Sequence, residues 1–335
     1  MNISFIDCRD EVSAIQTSPH GPKQWLASDI SDSDWIVPVS AQMGDELCQL
    51  AEFIKSNPLQ NLQRKITDLA LPQSEAAMGR MRSILDHGVG FAVLDRLNVD
   101  QFNSDTLVEI YWLLGQFIGP PVAQKWNGQM IYDVRDTGTA FQYGVRGSHT
   151  SVELVFHVDN AFAKMVPDYV GLLCRNTAKQ GGISRFCSLY TVHDQMQSQY
   201  PLLLERLYQP MFFDRQKEHA DGAPKVCLAP YFSWKEDRLN ARANSSLVRK
   251  GYEIAEQPMD KYLLDALDAV DEVCSNEEIW FEGPLQRGQI QYLNNHEVGH
   301  YRSEFVDFDE PEKKRHLYRL WHRERGSACY DGVEQ

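Results

Sequence analysis

The 335-residue chain predicts an α+β domain with a mainly β core and flanking helices. Three observations carry this expectation. Helical periodicity is concentrated before Pro121, short β-like runs separated by Gly, Asn and Asp turns dominate after it, and no composition break is long enough to be a linker. One catalytic domain over 1–335 is therefore expected, with a mixed helical flank over about 1–88. A β core is expected over about 89–325, with a helical insertion near 191–275.

The first forty residues, rich in Ser, Asp and isolated Trp, read as short strands and loops. A first helix starts at Ser40, an N-capping type, and places Leu47, Leu50, Ala51 and Ile54 on one face before Asn57-Pro58 ends it. A second is expected to open at Ser74, bury Met78, Met81, Ile84 and Leu85, and close at Gly88. The run Gly90 to Leu94 follows as a buried strand. A third helix begins at about Ser104, with Leu107, Ile110, Tyr111, Leu114 and Phe117 on one side, and stops at Gly119-Pro120-Pro121.

Beyond Pro121, Met130-Ile131-Tyr132 and Tyr169 to Cys174 read as strands. Thr191 with Asp194 forms a capping box for a helix that runs toward Leu207 and breaks or kinks at Pro201. A polar loop over 214–224 precedes an amphipathic helix from about Pro258 to Cys274, with Leu263, Leu264, Leu267 and Val270 inward. Ile279-Trp280-Phe281, Gln289 to Leu293 and Leu317 to Trp321 complete the β pattern.

Charge narrows the function classes. With 33 Lys and Arg against 47 Asp and Glu, the net charge of -14 repels phosphate backbones and anionic lipid heads. The expected partner is a small molecule, with no nucleic acid and no membrane; oligomeric state is not legible. The N-terminus lacks the basic and long apolar regions of a signal peptide, and no apolar run reaches the ~20 residues of a membrane span. The seven cysteines are scattered singly, as reduced thiols are in a cytoplasmic protein, which is the expected location.

Chemistry concentrates in Leu154-Val155-Phe156-His157-Val158-Asp159-Asn160. If this is one strand, His157 and Asp159 share a face, with Phe156 and Val158 opposite. Ten histidines among 47 acids give about one or two His-x-Asp/Glu pairs by chance, and the chain has three. His219-Ala220-Asp221 lies in the polar loop, and His322-Arg323-Glu324 follows every other histidine; only the pair at His157 has strand-like flanks and later histidines to join it. His296 and His300 are four apart, and spacing does not choose between them. Two histidines and a carboxylate on one side of a divalent ion leave three positions open, as in non-haem Fe(II) oxygenases.

Three segments resemble the TauD/TfdA family of Fe(II)/2-oxoglutarate dioxygenases: Glu153 to Asn160, Gln291 to Phe305, and Lys314 to Trp321. The resemblance covers about Asp133 to Arg323 and implies a double-stranded β-helix (jelly roll) with flanking helices. It selects His300, which precedes Tyr301-Arg302-Ser303-Glu304-Phe305, so that His157, Asp159 and His300 are the expected metal ligands. It also implies that Arg315 and Ser184 bind the distal carboxylate of 2-oxoglutarate and that Arg319 meets an acidic group of the substrate. Glu153 is expected to face either a cationic substrate group or Arg146, and Asn160 and Arg146 complete the substrate-binding candidates.

The implied cofactors are Fe(II), 2-oxoglutarate and O2, with ascorbate supportive. The implied reaction is hydroxylation, or desaturation, of an unactivated C–H bond in a small carboxylate-bearing metabolite such as an amino acid, with release of succinate and CO2. Family members that halogenate replace the carboxylate ligand, and this chain keeps Asp159. The alternatives are a zinc hydrolase using the same three ligands and a non-catalytic jelly-roll binding protein.

Overall fold

The computed structural model describes residues 3–9, 21–59, 62–140, 142, 144–235 and 237–333. Part of the segment expected as N-terminal loops, residues 10–20, lies outside them. Two sheets face each other. The larger runs in the order Ile36–Pro38, Phe91–Asp95, Ile290–Asn294, Tyr169–Asn176, His316–His322, Pro121–Val122, with Tyr132–Val134 also paired to His316–His322. The smaller runs Trp280–Glu282, Ser184–Ser188, Val298–Arg302, Leu154–His157. Every pairing in the two sheets is antiparallel except Ile36–Pro38 with Phe91–Asp95. Phe91 of the larger sheet stacks on Phe186 of the smaller at 4.5 Å between ring centroids, and Val170, Leu293, Val298 and Trp321 belong to the same buried layer.

Strand alternation decides which residues reach this interior. Along His316–His322, Tyr318 and Leu320 face outward to the helices, while Trp321 joins the inter-sheet core. The helices Ala41–Ser56, Pro72–His87 and Ser104–Gln116 cover that outer face, burying Leu47, Met78, Leu107 and Leu114 against Ala92, Leu94 and Tyr292. Each such leucine is worth roughly 2 kcal/mol. Ser40 caps the first helix by accepting the Met43 N–H at 3.1 Å, and Asn103 caps the third by accepting that of Thr106 at 2.9 Å.

Several expectations shift. The second helix opens at Pro72, since proline suits the first helical position, and Ser74 lies buried inside it. The helix near 191 is capped by Ser188, which accepts the Thr191 N–H at 3.2 Å, and begins at Leu189. It ends at Gln199, and Pro201 starts a separate helix to Leu207. The helix expected from Pro258 is capped by Asp260 and spans Lys261–Ser275; Leu264 falls off its apolar face and is 39% exposed. The strand expected from Met130 starts at Tyr132. The 191–275 segment is mixed: it adds the strands Met211–Asp214, Val226–Ala229, Phe232–Lys235 and Arg238–Ala241 and a further helix, Ser245–Ile254. All seven cysteines are free thiols. Among the described residues no helix is long and apolar enough to cross a membrane.

Candidate metal centre

His157 is the last residue of its strand, paired in register with His300 across the sheet. Its Nδ1 lies 2.7 Å from the Val155 carbonyl oxygen, which only accepts, so the proton sits on Nδ1 and the Nε2 lone pair faces the interior. The strand stops there, and Asp159 is not its next inward residue as the alternation argument expected. The chain turns instead: Val158 N–H donates to Ala243 O at 2.8 Å, and Asn160 adopts φ 55°. A loop thus brings the carboxylate back. Asp159 Oδ1 lies 3.6 Å from both His157 Nε2 and His300 Nε2, and the three ligand atoms lie within 4.8 Å of one another.

The two carboxylate oxygens are divided between tasks. Oδ2 takes Arg319 Nη1 at 2.9 Å and Trp321 Nε1 at 2.8 Å, leaving Oδ1 for the histidines. Burial alone would raise the Asp159 pKa; Arg319 and the two imidazoles outweigh it and hold the group well below the usual carboxylate range. Burial, reinforced by His157, pushes His300 down to about 4. A deprotonated carboxylate beside a neutral imidazole is the state a divalent cation requires.

Asn295 fixes the turn. Its Oδ1 accepts the Asp159 N–H at 2.8 Å, and its Nδ2 donates to the carbonyls of Asp159 at 2.9 Å and Pro167 at 3.1 Å. His296, the competing histidine, sits in the turn before the His300 strand and pairs with Asp168 at 2.9 Å, outside the centre. His219 caps a local carbonyl and His322 bonds Gly119, so neither of the other His-x-acid pairs contributes.

Arg315 precedes the strand that starts at His316, and the register shifts between His316 and Leu317, so Arg315 and Arg319 do not lie along one regular strand. Its guanidinium is buried over the Phe305 ring at 5.0 Å, and Nη1 has no hydrogen-bond partner among the described residues. Arg302, opposite Ser184 in the sheet, lies over the same ring at 4.9 Å and leaves Nε and Nη1 unpartnered among the described residues. Burial and the charge of Arg315 push Arg302 down to about 9. Two buried guanidiniums with unused donors beside the buried Ser184 fit a carboxylate-bearing co-substrate. A zinc hydrolase has no use for such a site.

Arg319 also donates from Nε to Gln124 Oε1 at 2.8 Å, packs over Tyr132 and Trp321, and keeps Nη2 unpartnered among the described residues. Arg146 pairs with Glu218 at 2.7 Å, not with Glu153, and reaches the same Tyr132 ring at 5.5 Å. Glu153 is exposed and accepts the Tyr301 hydroxyl. Asn160 is buried, and its Oδ1 accepts from Tyr330 at 3.0 Å. Sequence reasoning missed the parts played by Asn295, Gln124, Trp321 and Arg302; Asn295, Arg302 and Trp321 lie in segments that carried the family resemblance, whereas Gln124 carried no signal.

A family model described as "Taurine catabolism dioxygenase TauD, TfdA family" matches residues 55–321. The chain belongs to this family. FR-33289 synthase of Streptomyces rubellomurinus (strain ATCC 31215) is 27% identical over 314 residues, which span 90% of this chain and 89% of that protein. Asparagine oxygenase in complex with Fe(II), 2S,3S-3-hydroxyasparagine and succinate superposes with a TM-score of 0.65 at 18% identity, covering 88% of this chain and 98% of that one. The non-haem iron oxygenase OrfP in complex with Fe and alpha-ketoglutaric acid gives 0.64 at 14% identity, over 89% and 100% of the two chains. The two facing sheets are accordingly the double-stranded β-helix of TauD-type oxygenases, and the protein is a non-haem dioxygenase that uses Fe(II), 2-oxoglutarate and O2.

Proposed function

We propose that this dioxygenase hydroxylates an unactivated C–H bond of a small carboxylate-bearing metabolite of the amino-acid class. The whole chain acts as one catalytic unit in the cytoplasm, without nucleic acid or membrane as partner. His157, Asp159 and His300 hold Fe(II), and Arg315 with Ser184 anchors the distal carboxylate of 2-oxoglutarate. The observation that carries this reading is the convergence of the three ligand atoms, together with a buried Arg315 whose Nη1 meets no partner among the described residues. Iron with 2-oxoglutarate supplies O2 activation coupled to oxidative decarboxylation, giving succinate and CO2. Arg319 and Trp321 hold Asp159 Oδ2 and so orient Oδ1. Because the carboxylate is retained, no ligand position is vacated for halide, which favours hydroxylation, or desaturation, over halogenation.

For the substrate, Arg319 offers its free Nη2 from an aromatic wall of Tyr132 and Trp321, and Arg146 flanks it. Support for an amino acid also comes from the similar structures, which hold hydroxylated asparagine and hydroxylated arginine. Anaerobic Fe(II) titration is the primary test. A weak visible charge-transfer band that needs both Fe(II) and 2-oxoglutarate is expected in the native protein and not in Asp159→Ala. Arg315→Ala is expected to raise the 2-oxoglutarate requirement about 10- to 100-fold, the loss of a charge-assisted contact. No band at saturating Fe(II) and 2-oxoglutarate, or a normal one in Asp159→Ala, overturns the ligand assignment. Screening amino-acid and organic-acid pools with Fe(II), ascorbate and 2-oxoglutarate for a product that gains one oxygen identifies the substrate. Arg319→Lys keeps a charge against Asp159 but loses the second N–H, so it is expected to keep the band and lose coupled product; undiminished coupling removes Arg319 from the substrate site.

A further inference from the structure

We infer that a second small-molecule site, for a small multiply charged oxyanion, lies in the cavity behind the Asp159 loop. This cavity, of about 330 Å³, is lined by Lys164, Met165, Val166 and Asp168 from the loop, and by Arg242, His296 and Arg323 across from it. None of the three candidate ligands lines it, nor do Arg315 and Arg319. Its volume is at the lower end of small-molecule sites, roughly 300–1,000 Å³.

The wall is strongly basic in a chain whose net charge is -14. Its three carboxylates are already engaged. Asp168 is held by His296 at 2.9 Å and by the Glu324 N–H at 2.7 Å, Glu297 by Lys23 at 2.6 Å, and Glu324 by Arg82 at 2.7 Å. The cations are not matched in the same way. Arg242 is 5% exposed and donates to the carbonyls of Ala161 and Ala163, both at 2.7 Å. Arg323 is 3% exposed, donates to the carbonyls of Ser327, Cys329 and Tyr330, and leaves Nε without a partner among the described residues.

Among the described residues no carboxylate comes within 4.0 Å of either guanidinium, and Lys164 and Lys235, exposed at the rim, form no ion pair. Carbonyl dipoles stabilise a guanidinium but do not cancel its charge. Asp168 and Asp331 act on Arg323 only from beyond ion-pair distance, and an anion in the cavity supplies the direct counter-charge that a buried guanidinium favours. The chemistry that fits is shared by phosphate esters and polycarboxylates: a compact group with two or more negative charges and oxygen acceptors for Arg323, Lys164 and Lys235. This site is independent of the assignment of iron ligands and substrate.

The test is calorimetric titration of the full-length protein, loaded with Fe(II) and saturating 2-oxoglutarate under argon, with 3-phosphoglycerate in one arm and tricarballylate in the other. Saturable one-to-one binding of at least one probe is expected, weakened at least about tenfold in Lys164→Ala/Lys235→Ala and unchanged in Arg146→Ala. Both lysines are exposed, and a melting curve confirms that the variant is folded. Saturation by 3-phosphoglycerate alone identifies a phosphate site, and by tricarballylate alone a polycarboxylate site. No saturable heat with either probe at matched ionic strength overturns the inference. So does binding that survives in the lysine variant and falls in Arg146→Ala, because the anion then occupies the substrate pocket.

Discussion

Replacing Asn295 by alanine tests how the metal carboxylate is positioned. The substitution removes three buried hydrogen bonds, from the Asp159 N–H and to the Asp159 and Pro167 carbonyls. At about 1 kcal/mol net apiece these amount to about 3 kcal/mol, and stranding the buried Asp159 N–H adds about 1–2 kcal/mol. The loop keeps the Val158 bond to Ala243 and the Arg242 bonds to Ala161 and Ala163, so the fold survives while the carboxylate loses its fixed direction. Partners of this kind behind a metal ligand are worth about 10- to 100-fold in metal affinity.

Urea unfolding of the metal-free protein should therefore show a loss of about 4–5 kcal/mol, and anaerobic titration a matching rise in the Fe(II) dissociation constant. Asn295→Asp should do worse than alanine, because it sets a carboxylate against two carbonyl oxygens. An unchanged urea midpoint together with an unchanged Fe(II) affinity would refute the reasoning.

Two further outcomes follow from the same structure. His193 and His322 are fully buried and held down to about 4 by burial, whereas their unfolded value is 6.5. Below 6.5 the unfolded chain binds protons that the native state refuses until about 4, so stability falls as pH falls through that window, by about 2 kcal/mol per histidine at pH 5. Urea midpoints at pH 7.5 and 5 check this, and equal midpoints would contradict it. Gly182 has φ 69°, and a Cβ there would stand 3.1 Å from Arg315 Nε. Gly182→Ala should cost about 1–2 kcal/mol and raise the 2-oxoglutarate requirement while leaving Fe(II) binding intact, as separate titrations of the two would show.

The helical flank was legible because its signals are local. Leu47, Leu50 and Ile54 recur within one helix, and Ser40 bonds a backbone only three residues away. The strands between 211 and 241 were not read, because four-residue strands carry too little periodicity; they pair with one another, and only Val226–Ala229 also reaches a distant partner, Phe5–Asp7. The site divides along the same line. His157 and Asp159 are neighbours in sequence, but they meet through a turn held by Asn295, 136 residues away from Asp159, and no spacing rule reaches that far. The choice of His300 over His296 needed the family motif, and the fold supplies its physical reason: His300 lies within a strand facing His157, whereas His296 sits in the preceding turn beside Asp168.

The strand bearing His300 is hydrogen-bonded on both sides, to Ser184–Ser188 and to Leu154–His157, whereas the strand bearing His157 has, among the described residues, only that one neighbour in its sheet. An edge strand opens at lower free energy than an interior one. The centre is therefore a vice with one fixed jaw and one working jaw. Ion release should begin with His157 withdrawing while His300 and Asp159, the latter held by Arg319, Trp321 and Asn295, stay seated, so that emptying and refilling the centre need not disturb the two sheets around it.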